Sequence, residues 1–260
     1  MIKNLSSTLL LFFSVNVLAH PSWQIVTQSF PPYISSEASG NSWLVDVTQA
    51  ALSSQNINST IELTSWSRAI KLTERSKRTA LLGAYYSKSR NEVFYYSRAI
   101  AQAKTGFFKR SDNKIKYNGV LDSIKNHSIC AGKNYLVSEE FSNNKDLIVT
   151  MSEDLKTCLT LLINGRVELA AGTKKNGEHI LKEQALIPAS SQIKIEYMEP
   201  NIAKHNVHLI IAKADKLGAE KLAAFENGID KIKANGELQK ILKKHHFSQQ
   251  EIADYIAFIK

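Results

Sequence analysis

The run Gly83-Ala84-Tyr85-Tyr86-Ser87-Lys88-Ser89-Arg90 follows the apolar residues Ala80-Leu81-Leu82 and leads into Phe94-Tyr95-Tyr96-Ser97. One arginine thus stands behind two tyrosines and two serines, at what reads as the carboxyl end of a buried strand. A guanidinium there can pair with a planar anion through two parallel N–H bonds. The tyrosines offer flat apolar walls with a polar tip. The bland alternative is an exposed arginine at a helix start. Arg68 carries two readings as well, a ligand contact or an ion pair between two parts of the chain.

Catalytic chemistry has less to stand on. His127, His179, His205, His208, His245 and His246 show no metal-ligand spacing beyond the adjacent last pair, so they read as ordinary histidines and no metal or other cofactor is expected. General acid–base work needs a cleft carboxylate or histidine of shifted pKa. Glu37, Glu139 and Glu140 are the candidates, and all three read as solvated. His20 could chelate copper at the head of a processed chain, but the partner histidine and β-sandwich pattern such a site needs are missing. No catalytic residue is assigned.

The elements that must position Arg90 alternate. Residues 23–27 read as a strand ended by Phe30-Pro31-Pro32-Tyr33, whose prolines fix an extended path that presents Tyr33. Ser42 reads as the cap of a helix with Leu44, Val47 and Ala51 on one face. A strand at 60–63, a helix opening at Trp66 with Ser65 as cap, and a strand at 80–83 follow. A strand at 105–109 leads to a second series: strand 128–131, a helix beginning near Tyr135, strand 147–150, and helix 153–163 with Ser152 as cap and Gly165 beyond its end. Strand 167–171, a helix at 178–184, and strands 193–197 and 207–211 complete it. From Gly218 onward the chain is helical and amphipathic. Such alternation means α/β architecture, in which ligands lie beyond the carboxyl ends of the strands. Tyr33, Trp66, Tyr85, Arg90, Asn134, Tyr135 and Thr173 all fall just past such ends.

The 260 residues begin with one basic residue, Lys3, and an apolar run from about Leu9 to Leu18, closed by Val17-Leu18-Ala19. That is the layout of an export signal of residues 1–19, cleaved near Ala19, and it is too short to anchor in a bilayer. The formal charge of +9 falls by one with Lys3. It is spread along the chain without aromatic–basic interleaving, which argues against a nucleic-acid partner. Two cysteines, Cys130 and Cys158, belong to no metal motif. In an oxidising compartment they are expected to form a disulfide, two separate buried thiols being the alternative.

Several pieces carry a resemblance: Phe30-Pro31-Pro32-Tyr33, Asp46, Trp66-Ser67-Arg68-Ala69, Ser87-Lys88-Ser89-Arg90, Gly132-Lys133-Asn134-Tyr135, residues 161–167 (LLINGRV) and 234–242 (ANGELQKIL). Each is weak alone, but together and in order they span nearly the whole of residues 20–260. The chain resembles the family 3 periplasmic solute-binding proteins, the amino-acid-type receptors that feed ABC importers. The resemblance implies a type II fold of two α/β lobes, each a mixed, mostly parallel sheet flanked by helices, with the ligand cleft at the hinge. Residues 20–107 and 206–260 would form lobe 1, and residues 108–205 an inserted lobe 2. It further implies a monomeric, non-enzymatic periplasmic protein whose partners are a small-molecule ligand and either importer membrane subunits or a membrane sensor.

In such receptors the arginine matching Arg90 grips a ligand carboxylate, with rings such as Tyr33 beside the ligand's apolar part. Trp66, Arg68, Tyr85, Asn134, Tyr135 and Thr173 complete the expected site. The departures narrow the ligand. Amino-acid receptors usually carry serine or threonine where Tyr85 stands, and an acid where Thr173 stands; Thr79 also replaces a usual acid. Burying an ammonium without a carboxylate is costly, so a small carboxylate-bearing or otherwise anionic solute, aromatic ones included, is expected instead of a standard amino acid. Glu168, mid-strand, reads as structural. A sensing module and an enzyme on the same fold, such as a dehydratase, are the alternatives.

Overall fold

The computed structural model describes residues 22–35, 42–183, 186–187 and 192–259. The expected export signal, its cleavage point, His20 and Glu37 lie outside the described residues. The first series comprises β1 (Ser22–Thr27), α1 (Trp43–Ser53), β2 (Asn58–Leu63), α2 (Trp66–Glu74), β3 (Ala80–Tyr85), α3 (Lys88–Val93) and β4 (Phe94–Tyr96). A long strand β5 (Ala101–Arg110) leads to β6 (Ser128–Gly132), α4 (Glu139–Asn143), β7 (Ile148–Ser152), α5 (Leu155–Ile163), β8 (Leu169–Thr173), α6 (Lys174–Glu183) and β9 (Ile195–Tyr197). A second long strand, β10 (Ala203–Ala212), returns the chain to the helices α7 (Gly218–Ala234), α8 (Glu237–Lys244) and α9 (Gln249–Phe258).

The strands form one hydrogen-bonded path in the order β2-β1-β3-β10-β5-β8-β6-β7. Pairing is parallel within β2-β1-β3 and within β8-β6-β7, and antiparallel where β10 and β5 join the two groups. Apolar residues sort accordingly. One core gathers Ile25, Leu44, Leu82, Leu209 and Phe225, with a smaller cluster around Trp66, Leu81, Phe94 and Ile210 on the sheet's other face. Two further clusters, around Phe107 and around Phe108, draw on residues between β5 and β10. Neighbouring Phe107 and Phe108 point to opposite faces, as strand pleating dictates. Between the two groups of cores, the backbone passes along β5 and β10. This is the two-lobed type II architecture.

Local chemistry explains where the elements differ from the sequence expectation. No helix begins at Tyr135. The Tyr135 amide turns back to the Gly132 oxygen (3.0 Å) and Asn134 is left-handed (φ 63°). The helix waits for Ser138, whose hydroxyl accepts from Phe141 N at 2.9 Å. Asp154, not Ser152, caps α5 by accepting from Thr157 N at 2.8 Å, a carboxylate being favoured at a helix N-terminus. Ser42 and Ser65 make no side-chain cap bond; Ser42 instead bonds the backbone of Ser35 in both directions. Helix α6 starts at Lys174, directly after β8, four residues earlier than its sequence pattern suggested. Phe30-Pro31-Pro32-Tyr33 is a tight turn instead of an extended path, with the Tyr33 and Ile34 amides both bonding the Phe30 oxygen.

Cys130 and Cys158 are bridged, S–S 2.04 Å, tying β6 to α5. Closing their 28-residue separation contributes about 3.5 kcal/mol on the chain-entropy account. Arg98 chelates Glu226 and Asp230 of α7, and Asp46 pairs with Lys244 and His245 of α8.

Glu168 is structural, as read. Its carboxylate accepts from Ser128 N (2.9 Å), Ser128 Oγ (3.2 Å) and His127 Nδ1 (2.9 Å). The Ser128 amide, with help from His127, holds its pKa below the ordinary 4.5. A depressed carboxylate stabilises the fold above its unfolded pKa and loses that contribution as pH falls through the folded value. Glu168→Gln is therefore expected to lower the melting temperature near neutral pH and to flatten its decline below about pH 4.5. Melting curves of both proteins from pH 3 to pH 7, as about that range spans the transition, check this; parallel curves would contradict it.

Candidate functional site

Just past the carboxyl ends of β1, β3 and β8, a cavity of about 60 Å³ opens between the two groups of cores. That is far below the roughly 300–1,000 Å³ that accommodates drug-sized ligands, and it suits a small solute. Two features of β3 aim its end into this space. Gly83 takes φ 93°, the register against β10 slips between His208 and Leu209, and the resulting bulge re-aims the strand. Tyr85 then lies along the cavity, its ring stacked on His205 of β10 at 4.6 Å and 5°.

The Tyr85 hydroxyl meets Thr173 Oγ1 at 2.7 Å, and its backbone oxygen accepts from Arg90 Nη1 at 3.2 Å. Arg90 sits in α3, whose cap Ser87 accepts the Arg90 amide at 3.3 Å. Its Nη2 donates to the Asn134 oxygen at 2.7 Å, and the guanidinium lies 5.7 Å above the Trp66 ring. Trp66 Nε1 donates to the same Asn134 oxygen at 3.2 Å, Asn134 Nδ2 to Ser67 Oγ at 2.8 Å, and the Tyr135 hydroxyl to Gln28 Oε1 at 2.6 Å. These bonds run between residues 22–107 and residues 108–205 and link the two sides of the cleft. Gly132 makes the Tyr135 position possible: a Cβ there would lie 2.4 Å from the Tyr135 ring.

Burial sets the electrostatics. It lowers the Arg90 pKa, yet a guanidinium remains a cation. Burial raises the Tyr85 pKa, against the Thr173 hydrogen bond, and raises that of Tyr135; both hydroxyls are neutral. His205, its Nε2 2.8 Å from the Val137 oxygen, is pushed down by burial. Arg90 is the one charged side chain among the described residues lining the cavity. Among the described residues no group of three or more His, Cys, Asp or Glu could hold a metal ion, and no helix is long and apolar enough to cross a membrane.

Of the residues expected from the sequence, Trp66, Tyr85, Arg90, Tyr135 and Thr173 line this cavity. Asn134 stands at its rim, exposed, and takes part through its backbone oxygen and amide. No helix N-terminus follows it directly; the next helix, α4, begins only at Glu139. Two residues lie elsewhere. Tyr33 turns into the core, its hydroxyl on the Gln102 oxygen at 2.9 Å, while Phe30, stacked on it at 4.8 Å, faces the cavity. Arg68 is exposed on α2, away from the buried stripe Trp66, Ala69 and Thr73. Gln28, Phe30 and Asn176 were missed. Gln28 and Phe30 closely follow β1, and Asn176 comes three residues after Thr173, in the first turn of α6.

The chain matches the family of bacterial extracellular solute-binding proteins, family 3, over residues 25–249. No curated protein sequence matches it significantly. Among solved structures it is similar to a histidine kinase sensor domain with similarity to periplasmic binding proteins, at 19% identity and TM-score 0.73, covering 86% of this chain and 96% of that one. It is similar to the substrate-binding protein of an amino acid ABC transporter, at 16% identity and TM-score 0.68, covering 86% and 98%. An arginine transport system periplasmic binding protein from Legionella pneumophila shares 13% identity at TM-score 0.70, covering 86% and 99%. With two lobes joined by crossing strands and a family match over nearly the whole described chain, this protein belongs to the family 3 bacterial extracellular solute-binding proteins.

Proposed function

We propose that the protein is exported by its first 19 residues and captures a small carboxylate-bearing solute with an apolar body, as a carrier and not an enzyme, for an ABC importer. The observation that carries this reading is the charge of the cleft: among the described residues lining the cavity, Arg90 is the one charged side chain and none is acidic, Thr173 being neutral. Arg90 spends two of its five N–H donors on backbone oxygens. The others remain for an anion, with Phe30, Trp66 and Tyr85 flanking it. Residues 20–107 with 206–260, and residues 108–205, would move about β5 and β10 as two bodies. Closure then follows from ligand contacts to both, since only differential affinity for the closed state shifts that equilibrium.

A thermal-shift screen of small carboxylates, amino acids, short peptides and sugars tests the reading. Monocarboxylates are expected to raise the melting temperature and sugars to leave it unchanged. Stabilisation by sugars or free amino acids alone would overturn it. Sensing is the second reading, favoured by the likeness to a histidine kinase sensor domain, in which this fold serves a signalling protein.

A further inference from the structure

Asn176 stands on α6, one helical turn beyond Thr173, and lines the same cavity. It is 6% exposed, and its Oδ1 is the one buried side-chain polar atom among the described residues without a hydrogen-bond partner. Buried polar atoms are satisfied as a rule, and an orphaned acceptor is unfavourable unless something else brings the donor. Tyr85 gives the cavity its length. Arg90 marks its backbone end and Thr173, with Asn176 a turn behind, its hydroxyl end. An anion gripped at Arg90 therefore points its far end toward Asn176.

We propose that Asn176 is a specificity-determining residue whose Oδ1 accepts a hydrogen bond from an uncharged donor, a hydroxyl or an amide N–H, at the end of the ligand remote from its carboxylate. This rests on the reading of the cleft as a carboxylate site. It narrows the solute to small carboxylates bearing a distal hydroxyl or carboxamide. An ammonium fits poorly, because a neutral amide oxygen does not offset the dehydration of a cation. A purely hydrocarbon tail fits poorly too, because it leaves the acceptor unpaired.

The test is calorimetric titration of matched pairs, 4-hydroxybutyrate against butyrate and 4-hydroxybenzoate against benzoate, with the wild-type protein, Asn176→Ala and Asn176→Leu. The hydroxylated member of at least one pair is expected to bind the wild type about tenfold more tightly. Both variants are expected to lose that preference and bind the two members of each pair alike, and the alanine serves if the leucine fails to fold. Equal wild-type affinities within both pairs, or a preference that survives both substitutions, would overturn the assignment of Asn176 and leave the carboxylate reading standing. No binding of any of the four acids would overturn both.

Discussion

Arg90→Ala is expected to weaken the best carboxylate ligand by about 10²–10⁴-fold, because each hydrogen bond to a charged group contributes roughly 1.5–3 kcal/mol and a guanidinium fork makes two. Calorimetric titration against the wild type measures this. The substitution also strips donors from the Tyr85 and Asn134 backbone oxygens, so the melting temperature of the unliganded protein must be recorded alongside. Arg90→Lys separates charge from shape. It keeps the cation but loses the planar fork, and an intermediate affinity is expected. Ligand affinity that survives Arg90→Ala would mean that the guanidinium serves only to join Tyr85 to Asn134 across the cleft.

Thr173→Asp is expected to reverse selectivity. A carboxylate at this position, 93% buried and opposite Arg90 along the Tyr85 ring, places like charge in the cavity with an anionic ligand. Such juxtaposition costs several kcal/mol, and a loss on the order of 10²-fold or more for monocarboxylates follows. The same carboxylate supplies the partner that an ammonium lacks in the wild type. Zwitterionic amino acids should therefore gain affinity while their deaminated analogues lose it, which parallel titrations would reveal. If both ligand classes weaken together, the substitution has only disrupted the Tyr85–Thr173 bond, and the missing acid does not set specificity.

Much of this site could be read from the chain because its residues follow strand ends, and strand ends are marked by a change of periodicity. Tyr85 and Arg90 follow the buried run Ala80-Leu81-Leu82, and Thr173 follows β8; both strands end where α/β chemistry puts ligands. Arg68 was legible too, and was misplaced by reading the motif instead of the helix. Trp66, Ala69 and Thr73 define the buried stripe of α2, and a residue two places from Trp66 faces the other way. Tyr33 required more than local pattern. Whether Phe30 or Tyr33 faces the cavity depends on the tight turn between them, which tucks Tyr33 against Trp43 at 5.8 Å. Nor does a one-dimensional pattern announce Asn176. Placing the start of α6 at Lys174, instead of four residues later, would have put it in the first turn of that helix, but its unpaired oxygen is a property of packing.

The cross-cleft bonds arise from pairings far apart in sequence, such as Tyr85 with Thr173 and Gln28 with Tyr135. The residue types foretold polar tips on aromatic bodies. Which tip meets which is fixed only when β5 and β10 bring the two groups of cores together.

The most direct measurement is a calorimetric comparison of ligands that differ only in an ammonium group, 3-phenylpropionate against phenylalanine and butyrate against 2-aminobutyrate. A cleft whose described lining holds one guanidinium and no carboxylate predicts that at least one plain acid binds and that its amino acid is weaker by about 10²-fold or more. Amino acids that bind as tightly as the plain acids, or more tightly, would contradict it.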